Sequence, residues 1–207
     1  MQRVSNQEEK CYCMDMNHTR RKLLNAVLFF AKNTRNLNTT KLCKLLFFLD
    51  FTHFRQTGYP VIGLHYHAFD RGPVPRNFWL EIKDGKAPDD FRESLSIQVN
   101  NNTDQEYKEL CFAAKALPDM RVFSPREQKL IENLAEIYKN ATARELSEIS
   151  HLKNTPWDRT YHTSGPNSPI DYHLALDAEA PCNYQQADEK LREFFAVSMN
   201  FSLSPTR

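Results

Sequence analysis

Lys41-Leu42-Cys43-Lys44-Leu45-Leu46-Phe47-Phe48-Leu49-Asp50-Phe51 carries apolar side chains on nearly every face of a helix. Leu42, Leu45, Leu46 and Leu49 recur at helical spacing, with Phe47, Phe48 and Phe51 between and after them. A helix that is apolar all round must be covered on all sides, so this stretch predicts the central core helix. Asn36 to Thr39 break the pattern ahead of it, and Thr39 is the expected cap. Gly58 and Pro60 are its stop signal.

On the N-terminal side, Leu23, Leu24, Val27, Leu28 and Ala31 form one apolar stripe, predicting a helix that starts near Thr19 with Asn17 or Thr19 as cap. Residues 1–16 read as a flexible polar tail. On the C-terminal side, Leu64 to Phe69 alternate as a strand. Arg71-Gly72-Pro73-Val74-Pro75 reads as a stiff turn, and Pro75 starts a short helix with Phe78, Trp79 and Ile82 that Gly85 closes. Residues 94–99 and 107–115 read as a hairpin with Leu110 and Phe112 on one face.

Ser124-Pro125-Arg126-Glu127 and Thr142-Ala143-Arg144-Glu145 are capping boxes that open two helices. Thr155-Pro156-Trp157-Asp158 starts a further helical turn, residues 162–174 read as a Pro/Ser-rich loop, and a last helix is expected near 184–197. The sum is an α+β fold, mostly helical, with helices packed around a small antiparallel sheet. One domain over 17–200, followed by a tail at 201–207, accommodates all of it.

Composition narrows function mainly by what it does not favour. The 207 residues carry a net charge of +1, so neither nucleic acid nor acidic ligands are favoured overall. Residues 1–60 nevertheless hold 10 Lys and Arg against 4 Asp and Glu, a local excess of +6. That excess is a solvated helix face or a docking patch for an acidic partner. Five cysteines, an odd number, do not suit a disulfide framework, and Cys43 lies within the apolar helix. No run approaches the ~20 apolar residues of a membrane span. Residues 1–17 lack an apolar signal core, so the expected location is a reducing cytoplasm.

Candidate chemistry is sparse. His65 and His67 share a strand face, with Cys43, His53 or a carboxylate as conceivable further ligands, but no third ligand stands at a diagnostic spacing. The expectation is therefore no bound metal and no cofactor. Cys11 and Cys13 have the wrong spacing for zinc or a redox pair. No nucleophile elbow and no glycine-rich phosphate loop occurs. Asp50, an acid inside the central apolar helix, needs a partner, and Arg71 or Arg76 beside the Gly-Pro-Val-Pro segment are candidates.

Four motifs in order resemble the Panacea (SocA-like) antitoxin family. Lys41 to Phe51 looks like its K-L-x-K-L-L-Y-F-x-D helix, and Phe69 to Pro75 is similar to its strand followed by G-P-V-P. Ser124 to Tyr138 resembles its S-x-x-E helix; Thr142 to Ser147 and then His151, Pro156 and Trp157 resemble its s-a-x-e-L-s and H…P-W. The resemblance covers about residues 20–160. It implies an antitoxin, many of whose relatives are phage-associated. Such proteins neutralise a cognate toxin by direct contact or, in one founding member, deliver it to a protease. No enzymatic activity is implied.

The motif residues Asp50, Gly72, Pro73, Pro75, Ser124, Glu127, His151, Pro156 and Trp157 are expected to specify the fold. Partner binding is expected on Arg71, Arg76, Phe78 and Trp79, residue types common at interface hot spots. Two other classes stay open: a small metal-dependent or hydrolytic enzyme around His65, His67 and Cys43, and a nucleic-acid-binding repressor using the basic N-terminal segment. The latter has no recognised DNA-reading motif, so nucleic acid is not expected for this chain alone. Oligomeric state is not legible.

Overall fold

The computed structural model describes residues 18–83, 87–100 and 109–202. The expected Asn17 cap, the Gly85 stop, the 101–105 turn, both tails, Cys11 and Cys13 lie outside them. The element order is α1 (His18–Asn33), α2 (Thr39–Thr57), β1 (Tyr66–Phe69), β2 (Gly72–Pro75), α3 (Arg76–Ile82), α4 (Asp89–Ser94), β3 (Leu95–Asn100) and β4 (Glu109–Ala114). It continues with α5 (Pro125–Ile137), α6 (Ala143–Ser150), α7 (Pro156–Ser164) and α8 (Tyr184–Ser202), with 3₁₀ turns at Met120–Val122 and Tyr172–Ala175. The fold is mostly helical α+β, as expected.

The strands form two separate antiparallel pairs, β1–β2 and β3–β4, rather than one sheet. The expected stiff turn at 71–75 is itself a strand: Gly72 to Pro75 pair in register with Phe69 to Tyr66. Segment 167–170, expected as loop, runs along β1, with Ala68 donating to Ser168 O and Ile170 to Tyr66 O. Helix α7 continues to Ser164, well past a single turn, and α4 was not expected.

Helix α2 occupies the centre, touching α1, α5, α6, β2 and β4. Its two sides feed different cores. Leu42, Leu45, Leu46 and Leu49 join α1, α5 and the β3–β4 pair in a largely aliphatic cluster. Phe47, Phe51 and Phe54 face Tyr66, Trp157, Ile170 and Tyr172 in an aromatic one. The cap of α2 is Asn38, which accepts from the Lys41 amide, not Thr39. Thr39 instead turns its hydroxyl onto Leu110, sealing one edge of β4. Gly58 ends α2 at φ 82°, as its sequence position predicts.

Candidate partner-binding surface

Asp50 sits at the centre of the aromatic side with no exposed surface. Its partners are not Arg71 or Arg76, both of which lie exposed. Its Oδ1 accepts from the Ile62 amide at 2.6 Å, and the Gly63 and Leu64 amides reach Oδ2 at 3.2 Å. The Tyr66 and Tyr172 hydroxyls complete the cage at 3.0 and 3.1 Å. Main-chain donors replace the expected ion pair, because the 61–64 loop can bring successive N–H groups to one carboxylate without burying a second charge. Burial pushes the Asp50 carboxyl up, against the pull of these donors. Burial and the neighbouring acid hold both tyrosines well above their usual value.

Lys44, one of the ten Lys and Arg of residues 1–60, is 1% exposed. Its ammonium donates to Pro73 O at 3.1 Å. Burial lowers its pKa to about 8. Gly72, at φ 101°, lies against it; a Cβ there would stand 2.6 Å from both Lys44 Cε and Ser150 Oγ. Only glycine permits that approach, so the β1–β2 hairpin closes onto α2 and α6 at this point.

Pro156 opens α7, whose cap Thr155 accepts from the Asp158 amide. The Trp157 indole donates to Phe69 O at 2.9 Å and stacks on His151 at 3.8 Å. Burial, followed by the Lys44 charge, lowers the His151 pKa. Both capping boxes form, with Ser124 and Glu127 in one and Thr142 and Glu145 in the other. Glu127 also meets Lys22 at 2.7 Å, tying α5 to α1. The motif residues thus brace the hairpin and helix ends from within.

The four residues expected to meet a partner divide. Phe78 is 2% exposed and packs on Phe91, so it belongs to the core. Trp79, one helical step on, is half-buried, its ring edge-to-face with Phe69 at 5.9 Å and beneath the Lys83 ammonium. Leu80 is 40% exposed beside it. Arg71 at the hairpin tip and Arg76 at the start of α3 are exposed on the same hairpin–helix unit. Tyr161 holds the neighbouring Asp70 at 2.9 Å. Arg71, Arg76, Trp79 and Leu80 thus stand on one hairpin–helix unit, the two arginines at opposite ends of β2.

Among the described residues no group of three or more His, Cys, Asp or Glu side chains is placed to hold a metal ion. His65 precedes β1 and stacks on Phe195, while His67 Nδ1 meets Asn167 O at 2.9 Å, so the two rings are engaged separately. Cys43 is a buried free thiol, pushed up to about 11 by burial. Among the described helices, none is long and apolar enough to cross a membrane.

What the fold defines is a helical scaffold around two small antiparallel strand pairs. A family model described as "Antitoxin SocA-like, Panacea domain" matches residues 42–158, more than half of the chain. The chain belongs to this family, whose description is that of an antitoxin domain. No curated protein and no solved structure matches it. The match ends before Tyr172 and α8, both of which close over the aromatic core.

Proposed function

We propose that this protein is an antitoxin that neutralises a cognate toxin by direct protein–protein contact, through the projection formed by Arg71, Arg76, Trp79 and Leu80. The observation that carries the reading is the partition of the family motif. Asp50, Gly72, Pro73, Pro75, Trp157 and their neighbours turn inward, while side chains suited to an interface stand outward on the unit they brace. A hairpin fixed at both ends loses little entropy on binding. Exposed guanidiniums at the two ends of β2 and a half-covered indole on the helix that follows offer charge-assisted and stacking contacts. This surface suits a partner that presents carboxylates around an apolar patch.

Co-expression with a candidate toxin from the neighbouring genes tests the proposal. Charge reversal at Arg71 and Arg76, and Trp79→Ala, are expected to abolish growth rescue and co-purification while circular dichroism stays unchanged. Folded variants that still bind and rescue would place the interface elsewhere.

A further inference from the structure

The 3₁₀ turn Tyr172–Ala175 serves two parts of the molecule. Tyr172 turns its hydroxyl onto Asp50 in the aromatic core. His173, the next residue, faces α8. Its ring lies edge-on to Phe54 of α2 at 5.6 Å and against Tyr184, the first residue of α8, at 4.5 Å. Its side chain is 9% exposed. Asp171 caps the turn: its Oδ1 accepts from the His173 amide at 2.9 Å and meets the ring Nδ1 at 2.8 Å. A carboxylate only accepts, so Nδ1 carries the proton, and a neutral ring keeps a lone pair on Nε2. That atom is buried, and among the described residues it has no hydrogen-bond partner. What it faces is Asp188 Oδ1 of α8, at 3.6 Å.

The neutral ring therefore sets a lone pair against a carboxylate. A second proton turns the same contact into an attraction. Nδ1 then donates to Asp171 and Nε2 to Asp188, and closing that second bond takes a shift of about half an ångström. The other charged groups around the ring have partners of their own. Arg192 of α8 holds the second Asp188 oxygen at 2.7 Å, and Arg55 of α2 holds Asp177 at 2.9 Å. Arg159 of α7 lines the cleft beside the ring with Nη1 on Leu174 O at 3.4 Å, and the Cys182 thiol there lies 3.9 Å from the Lys190 ammonium. Further along α8, Lys190 donates to Thr57 O at 2.8 Å and Phe195 stacks on His65 at 5.4 Å, so the helix is seated elsewhere as well.

We propose that His173 is an acid-strengthened latch for α8: its protonated ring bridges Asp171 and Asp188 and clamps the last helix onto the turn that completes the Asp50 cage. A proton bound with the latch closed favours the docked helix, so the latch contributes in acid and is lost as pH rises through the histidine range. Helix α8 lies beyond residues 42–158, so the latch is an addition to the region the family model matches. It acts on the C-terminal covering of the core and leaves Arg71, Arg76 and Trp79 untouched.

Amide hydrogen exchange of the purified full chain at about pH 5.5 and about pH 8 tests this. Exchange is read as protection of α8 relative to α5, each corrected for the intrinsic rate at that pH. In wild type the relative protection of α8 is expected to be roughly ten-fold higher at the lower pH. His173→Gln removes the titrating ring. Asp188→Asn keeps the shape of a side chain 29% exposed and removes the carboxylate that Nε2 faces. Both are expected to flatten the dependence. Arg192→Gln loses only its surface pair with Asp188 and should retain it. His65 is common to every variant, so its own titration cancels in the comparison. A wild type whose α8 protection is flat with pH would overturn the proposal. So would a dependence that survives in folded Asp188→Asn or His173→Gln, or one that Arg192→Gln abolishes.

Discussion

The two sides of α2 hold the protein by different means. Leu42, Leu45, Leu46 and Leu49 meet a cluster built almost wholly from Leu, Ile, Val, Ala and Phe, where stability scales with apolar area and shape is negotiable. Phe47, Phe51 and Phe54 meet tyrosines, Trp157 and a buried acid, where the Asp50 carboxylate, the Tyr66 and Tyr172 hydroxyls and the Trp157 indole each have an assigned partner. The aliphatic side tolerates substitution by volume. The aromatic side is specified atom by atom, and it supports the projecting hairpin from beneath. Shape-conserving replacements should therefore separate the two sides more sharply than truncations, which harm both.

The largest effect is expected from Asp50→Asn. Both oxygens face backbone N–H donors, so neither orientation of the amide escapes pointing its own donors at them. A loss of about 3 kcal/mol or more in urea unfolding is expected. Near-wild-type stability would show that the cage is looser than its geometry. Tyr172→Phe comes next. It removes the hydroxyl shared between Leu64 O at 2.7 Å and Asp50, for ~1–3 kcal/mol by the same assay. Since Tyr172 lies beyond the family match, a neutral result would confine the specified core to the matched residues.

Lys44 gives a pH signature. Its ammonium titrates near 10.5 when unfolded and at about 8 when folded. Below pH 8 both states hold the proton and the burial penalty is fully present. From pH 8 to 10.5 the unfolded chain binds more protons, so rising pH favours the fold through this group. Cys43, shifted from 9 to about 11, acts in the opposite sense above pH 9. The Lys44 share is therefore read as wild type against Lys44→Met. Between pH 8 and 10 wild type should gain on the order of 2 kcal/mol relative to the variant. A difference flat with pH would mean that the ammonium is better solvated than its burial implies.

The smallest effect belongs to the aliphatic side. Leu46→Met is fully buried yet nearly isosteric, and should shift the unfolding free energy by less than ~1.5 kcal/mol. A larger loss than that of Tyr172→Phe would erase the distinction between the two sides.

The features legible in the sequence are local ones. Apolar periodicity placed α1 and α2, and the Ser124 and Thr142 boxes and Gly58 marked their helix ends, because a cap is made by residues a few positions apart. The motif order pointed to the family that residues 42–158 match. The errors fell where the deciding partner is distant. Thr39 looked like the cap of α2, but Leu110 claims its hydroxyl and Asn38 takes the role. Gly72 to Pro75 looked like a turn, but β1 supplies a ladder that overrides proline's usual avoidance of strands.

The sequence by itself determined α1, α2, α5, α6 and α8, the capping boxes at Ser124 and Thr142, the stop at Gly58, the mostly helical α+β class and the family. Only the tertiary structure decided that Asp50 is held by amides and tyrosines, that Lys44 is buried under Gly72, and that Phe78 turns inward while Trp79 stays at the surface. The physical reason is range. Helix periodicity and capping are satisfied within one or two turns, so their signals lie side by side in the chain. A buried charge or an orphaned hydroxyl is satisfied by whatever group folding brings to it, and for Asp50 one of those groups is Tyr172, 122 positions away.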